Sequence, residues 1–393
     1  MSVPVQLPFE QAGPLQPAPL LRELQLRGPI HAIRTAVGDP AWLVTGYEQV
    51  RRLLDDDRLG RAHREPERAS RTGKSAMFGG PLGDFDTEQA DHRRMRALLQ
   101  PHFSPKRMRA LRGRVEILTA NLLDELVAAG PPADLHAALA LPLPIAVICE
   151  LLGVPYEDRA QFRAWTQAAA DITDRARSEQ GLAELFGYGQ QLVARKRADG
   201  DADADVISRL AATEGVSDDE AAATGMFLLF AGHETTVVAI GMGVLWLLAH
   251  PEQWQALVAD PSRIDAAVEE ILRAPSLGGG GIPRYARVDL DIAGVTVRVG
   301  ELVLLDTGAG NHDAAVFPDP DRFDIARSAV AHLTFGYGAR YCVGAPLARI
   351  ELKTVFSQLI ARFPALRLAG PIEELRFNTA TLTGGPAELP VMW

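Results

Sequence analysis

The stretch "FGYGARYCVG" (335–344) sets one of only two cysteines at the end of a glycine-punctuated run, directly ahead of an amphipathic segment. Unpaired N–H groups and the dipole at a helix start favour an anionic thiolate, so Cys342 reads as a metal ligand, or as a nucleophile with His332 nearby. Zinc would need companion ligands at short spacing, and none flank it. Glycines at 336, 338 and 344 let the backbone pass close to something flat or bulky. The other cysteine, Cys149, lies in "PIAVICELLGV" and reads as a small buried hydrophobe.

A second candidate is "AGHETT" (231–236), which interrupts a nearly all-apolar run from Met226 to Ala249. Gly232 costs about 1 kcal/mol against alanine in a helix interior. A buried Glu234 is dearer unless partnered, and the Thr235 hydroxyl can divert the helix's own hydrogen bonds. Weak helix formers beside an ionisable group mark a place where a small ligand meets the helix. A third feature is cationic: from Arg93 to Arg114 there are eight Lys/Arg (Arg93, Arg94, Arg96, Lys106, Arg107, Arg109, Arg112, Arg114) and no acid, in a chain of net charge −10. Such a patch suits an acidic partner or an anionic ligand, or is an ordinary solvated helix face. The overall charge argues against nucleic acid.

The elements that must position these residues follow from periodicity. The first 20 residues or so, with five prolines, read as extended and carry neither a signal peptide nor a membrane anchor. Residues 28–46 predict two short strands around a Gly-Asp-Pro turn. An Arg-rich stretch at 61–74 and "MFGGPLGDF" (77–85) predict a long mobile loop. From about 91 to 250 the pattern is almost wholly helical. Its longest helix starts at a Ser217/Asp218 cap and ends at His250 before Pro251, about 50 Å in length. Its apolar length raises a membrane span, but the polar residues in its middle and its acidic front favour a helix buried in a large domain. Residues 284–306 alternate like strands of a small sheet, and 345–363 return to helix. The order suits a mainly α (α+β) domain. Two cysteines cannot build a disulfide framework, so the cytoplasm is the expected compartment.

Taken together, "FGYGARYCVG" resembles the haem-binding loop of the cytochrome P-450 family, and other family marks stand in the right order. "EEILR" carries Glu270 and Arg273, "FPDPDRFD" carries Arg322, and "AGHETT" resembles the oxygen-activation motif. The resemblance implies one triangular helical haem domain over residues 1–393, with small β-sheets (β-rich parts at about 28–50 and 284–306) and a long central helix over haem. It implies haem b with Cys342 as the proximal iron ligand and O2 as co-substrate. Phe335, Gly336, Gly344 and Ala231 would border the cofactor. His92 and Arg96 (four apart on one helix face), Arg284 and Arg340 would cradle its propionates. Thr235 and Glu234 would be the catalytic pair, and Glu270, Arg273 and Arg322 a buried structural network.

The departure from the family pattern is "APSLGGGGIPRYA", where glycines replace bulkier residues on the expected substrate side. Either the pocket is unusually open or the loop is loose. The expected pocket wall comprises Met77, Phe78, Leu277, Gly278, Gly279, Gly280 and Ile282. The implied activity is monooxygenation of a bulky, largely apolar secondary metabolite such as a polyketide or macrolide, by hydroxylation or epoxidation. Electrons would come from NAD(P)H through a ferredoxin reductase and a ferredoxin docking near 93–114, and a monomer without membrane or nucleic-acid partners is expected. Oxidative coupling or peroxygenation keeps the same fold, and a haem carrier or sensor without turnover is the reading from another class.

Overall fold

The alternation at 30–34 and 40–44 becomes an antiparallel pair, Ile30–Arg34 against Pro40–Val44, closed by a turn in which the Thr35 N–H donates to Asp39 O at 2.8 Å. The structure, a computed structural model, describes residues 5–275, 280–328, 330–380 and 383–393. They fall into two compact units, the first built from the chain up to Arg93 together with Asp265–Cys342, the second from Arg94–Ile264 together with Val343–Trp393.

The first unit is organised by a six-stranded mixed sheet. Its order is Val5–Gln6, Ile30–Arg34, Pro40–Val44, Leu302–Leu305, Ile282–Ala286 and Leu59–Gly60. Both faces are covered, and period-2 alternation decides which side chain goes where. Ala41, Leu43, Leu302 and Leu304 pack with Leu21, Leu24 and Tyr285 on one face; Val44, Val303 and Leu305 pack with Val50, Leu53 and Phe317 on the other. Burial on both faces explains why 302–305 reads as the unbroken apolar run Leu-Val-Leu-Leu.

Past the extended N-terminal residues, Pro19–Arg27 is a helix started by proline, with Leu21 and Leu24 buried. One expectation is corrected here. Residues 284–306 do not make a sheet of their own. Their outer strands join the N-terminal strands, and the hairpin Leu290–Ile292/Val295–Val297 stands apart as two strands. Long-range strand pairing is invisible to local alternation.

The second unit is helical, with helices Pro105–Ala129, Pro142–Leu152, Arg159–Ala169, Arg175–Asp199, Val206–Ala212, Asp218–Ala249, Pro251–Ala259 and Ala345–Arg362. A small antiparallel sheet joins Arg367–Leu368, Pro390–Met392 and Ala133–Asp134. The Asp218–Ala249 helix runs through the middle, packed by Pro142–Leu152 and Arg175–Asp199, with Ala345–Arg362 also against it. Ser217 caps it, its Oγ accepting from the Glu220 N–H at 3.1 Å. By length and composition this helix could cross a membrane, yet 67% of its most apolar window is buried within the protein. Its apolar girth therefore faces neighbouring helices. Gly232 is demanded by that packing, because a Cβ there would stand 2.9 Å from Ile148 Cδ1.

Candidate functional site

In the first unit, the Cys342 loop is a short crossed structure. The Cys342 N–H donates to Phe335 O at 2.8 Å, the Gly336 N–H to Leu333 O at 2.8 Å, and the Tyr341 N–H to Gly338 O at 3.0 Å. Gly336 (φ 74°) and Gly338 (φ 66°) occupy the left-handed region that favours glycine. Gly344 has an ordinary φ of −81° and serves as the N-cap of Ala345–Arg362. The helix begins three residues after the cysteine. The loop is held from outside by the helix Tyr47–Leu54 and the residue after it: Arg51 lies over the Tyr337 ring at 4.4 Å and donates to its hydroxyl at 2.8 Å.

Cys342 is exposed, whereas Cys149 is buried. Burial pushes the Cys149 thiol up to about 12, an inert core residue. His332, the base considered for a nucleophilic Cys342, has other partners. His332 Nε2 faces Glu269 Oε2 at 3.1 Å, and its Nδ1 accepts from the Thr334 N–H at 3.3 Å, so both ring nitrogens are engaged elsewhere. Among the described residues no cluster of three His, Cys, Asp or Glu could hold a metal ion. An iron porphyrin brings four ring ligands of its own and asks one of the protein, which a single cysteine can supply.

A cationic cluster lies in the same unit. Glu88, buried at the start of the helix Glu88–Leu99, receives Arg340 Nη2 and Arg287 Nη1, each at 3.2 Å, and also the backbone N–H groups of Arg61 (2.7 Å) and Ala62 (3.1 Å). Its carboxylate lies against Gly60, where a Cβ would sit 2.4 Å from Oε2. Arg284 is buried beside them. Burial first, then repulsion from Arg340 and Arg61, pushes its guanidinium down to about 9, with Glu88 opposing. Two guanidiniums thus pair with one carboxylate, with those of Arg61 and Arg284 close enough to feel the same charges, a cluster that suits a dicarboxylate such as the two propionates of haem. His92 and Arg340 line one small cavity of about 90 Å³ with Asp55 and Ala339. Arg340 thus stands near Arg284 in the cluster and beside His92 in this cavity, which Asp56 and Asp57 also line. Arg96 follows in the same helix, half-buried, in the second unit.

The buried network behind this region differs from expectation in one member. Arg273 forms a bidentate pair with Glu270 at 2.7 and 2.9 Å and donates to Asn311 O and Pro320 O, both at 2.9 Å. The second guanidinium is Arg327, whose Nε lies 3.2 Å from both Glu270 oxygens. Arg322 contributes its carbonyl, while its side chain is 63% exposed beside Asp324. Sequence order alone could not decide which arginine of "DRFDIAR" turns inward.

In the second unit, Ala231, Glu234 and Thr235 sit mid-way along Asp218–Ala249. Thr235 is exposed, and its Oγ1 donates back to Ala231 O at 2.9 Å. Glu234 is mostly buried, which raises its carboxyl, and its Oε1 has no hydrogen-bond partner. It stands 3.5 Å from His233 Nδ1. His233 is fully buried with neither nitrogen hydrogen-bonded among the described residues; burial, then Arg163, push it down to about 4, so it is neutral.

Of the expected pocket wall, Met77 and Phe78 are half-buried on a stretch braced by turns: Thr72 Oγ1 donates to Phe78 O at 2.8 Å and the Thr72 N–H to Gly79 O at 2.9 Å. The stretch expected to be a mobile loop is thus internally hydrogen-bonded. A Cβ at Gly280 would meet nothing within 4 Å, whereas Ile282 opens a strand and packs on the sheet core. Leu277, Gly278 and Gly279 lie outside the described residues. Missed by sequence reading were Arg61, Glu88, Arg287, Arg327 and Asp55, ordinary charged residues whose meaning appears only when distant segments meet.

Comparison with known proteins agrees with this chemistry. A family model described as Cytochrome P450 matches residues 179–374. The chain is 44% identical to pentalenolactone synthase of Streptomyces exfoliatus, covering 98% of each protein. It is 38% identical to mycinamicin IV hydroxylase/epoxidase of Micromonospora griseorubida, covering 99% of each. Among solved structures it is similar to a polyene macrolide antibiotic pimaricin epoxidase, with TM-score 0.89 and 41% identity over the whole of both chains. An exposed cysteine on a glycine-shaped loop, a cationic cluster suited to carboxylates, and this likeness along the entire length have one common explanation: the chain belongs to the cytochrome P450 family.

Proposed function

We propose that this P450 monooxygenase inserts one oxygen atom from O2 into a bulky, largely apolar secondary metabolite of the polyketide or macrolide kind, by hydroxylation or epoxidation. The observation that carries the reading is the exposed Cys342 on a glycine-shaped loop, its neighbouring histidine committed to Glu269. Relatives that act as a mycinamicin hydroxylase/epoxidase and a pimaricin epoxidase support the substrate class.

Haem, when bound through a thiolate, supplies oxygen activation, because the sulfur pushes electron density that favours O–O cleavage. The chain's own residues do the rest. Arg284, Arg340, His92 and Arg96 hold and orient the cofactor's carboxylates, and Phe335, Gly336, Gly344 and Ala231 border it. Glu234, its carboxyl raised by burial, holds a proton closer to neutral pH than an ordinary glutamate does. The Thr235 hydroxyl, free to swing from the Ala231 carbonyl it now bonds, hands that proton on at Oγ1. Met77, Phe78 and Gly280 shape the substrate side.

Electrons arrive from NAD(P)H through a ferredoxin reductase and an acidic ferredoxin, the protein acting in the cytoplasm as a single haem domain. On the basic stretch, Arg94, Arg107 and Arg114 pair with Glu220, Asp203 and Glu150. Lys106, Arg109 and Arg112, exposed along Pro105–Ala129, make no ion pair among the described residues and remain available to a partner. The test is a spectral titration against a compound panel, followed by turnover with a surrogate ferredoxin system. Macrolide-type compounds are expected to shift the Soret band and gain one oxygen atom at the expense of NAD(P)H. Binding without substrate-dependent NAD(P)H consumption would favour a haem carrier or sensor instead.

A further inference from the structure

Arg61 has no role in the reading so far, yet it is built into the cationic cluster. It follows directly on the edge strand Leu59–Gly60, and its backbone N–H donates to Glu88 Oε1 at 2.7 Å. Its Nε is buried and has no hydrogen-bond partner among the described residues. Burial lowers its guanidinium pKa; Arg340 adds to that, while Tyr285 and Glu88 act in the opposite direction. A guanidinium does not shed its proton, so the cluster must find negative charge elsewhere. Glu88 is already shared with Arg287 and Arg340.

The rest of the residue grips the stretch that carries Met77 and Phe78. Arg61 Nη2 donates to Met77 O at 3.3 Å and to Gly80 O at 3.5 Å, its carbonyl accepts from the Leu82 N–H at 3.0 Å, and its guanidinium lies 5.9 Å from the Phe78 ring centroid. One side chain therefore has donors committed to the loop and a buried, unused donor in the cluster. We propose that Arg61 is a further ligand of the cofactor's carboxylates and that it ties their binding to the placement of the 71–82 loop beside the substrate. The assignment rests on the haem-thiolate reading and extends it to a residue and a coupling that the family motifs do not mark.

The experiment uses holoprotein of wild type, R61M and R61K, loaded either with haem or with haem dimethyl ester, whose propionates are uncharged. Loss of cofactor to excess apomyoglobin is followed by the Soret band, and nicking after Lys74 by a lysine-specific protease reports the loop, since Lys74 is exposed there. R61M is expected to lose haem roughly ten-fold faster or more, the size of one charge-assisted hydrogen bond, with R61K in between. Neither substitution should alter loss of the dimethyl ester, and Lys74 nicking should quicken in R61M. Faster nicking with unchanged haem loss, or equal acceleration for haem and its ester, overturns the assignment, leaving Arg61 a loop brace alone. Should R61M fail to fold, R61K with the two cofactors decides on the same criterion. A wild type lacking the red-shifted band of the reduced carbonyl complex overturns the reading beneath, and the assignment with it; a wild type with that band isolates Arg61 as the point of failure.

Discussion

The Asp55 carboxylate accepts a hydrogen bond from the Ala339 N–H at 2.7 Å, three residues before Cys342. The contact leaves no room at the preceding residue: a Cβ on Gly338, already at φ 66°, would fall 1.9 Å from Asp55 Oδ1. Gly338→Ala is therefore expected to cost at least about 1–3 kcal/mol, read as a lowered melting temperature of the holoprotein and faster haem loss. Asp55→Asn keeps an oxygen for the Ala339 N–H and should stay near wild type, while Asp55→Ala should not. Equal melting of Asp55→Asn and Asp55→Ala would show that this bond does not hold the loop.

Glu270 separates two arginines that look alike in sequence. Arg327→Ala removes one of the two guanidiniums on a buried carboxylate and is expected to destabilise by about 3 kcal/mol. Arg322→Ala removes an exposed partner of Asp324 and should cost under about 1 kcal/mol. Urea unfolding of the two variants checks the order, and the reverse order would contradict the network described.

What could be read in the chain beforehand was local. The Ile30–Val44 hairpin, the Asp218–Ala249 helix with its Ser217 cap and the Ala345–Arg362 helix are written in periodicity and capping residues, and the cysteine loop in its glycines. What escaped was set by distant partners. The strands around 282–305 were legible, but not that they pair with residues 40–44 and 59–60. Glu88 read as one more helix acid, since only the fold brings Arg61, Arg287 and Arg340 to it. Arg327 lost to Arg322 because five residues decide which carbonyls and which carboxylate each can reach.

Acid sensitivity follows from three histidines buried without charge. His102, His233 and His312 are each pushed from 6.5 to about 4, in every case by burial first. A group whose folded pKa lies below its unfolded value is protonated first in the unfolded chain, so stability is full above pH 6.5 and drains as pH falls toward 4. Glu234, Glu351 and Asp306, raised in the fold by burial, work the other way. The denaturation midpoint is expected to drop through this window, and more shallowly in His233→Leu, which also removes two unsatisfied nitrogens. A wild-type midpoint flat between pH 6.5 and 4 would contradict the burial described.

Thr235 is the residue whose loss should change chemistry and little else. Among the described residues its hydroxyl bonds only its own helix, and it is exposed, so Thr235→Ala should fold within about 0.5 kcal/mol of wild type and bind haem normally. The fraction of reducing equivalents released as hydrogen peroxide should rise at the expense of product, measured with a surrogate ferredoxin system. Unchanged coupling would remove Thr235 from the proton path.

Ligation by the Cys342 sulfur underlies all of this, and the reduced carbonyl spectrum reads it directly. Wild-type protein, expressed with ample haem supply, should show the red-shifted Soret band of a thiolate-ligated ferrous carbonyl complex, and Cys342→Ala should lose it. A mutant that keeps the band, or a wild type that never shows it, would contradict the account.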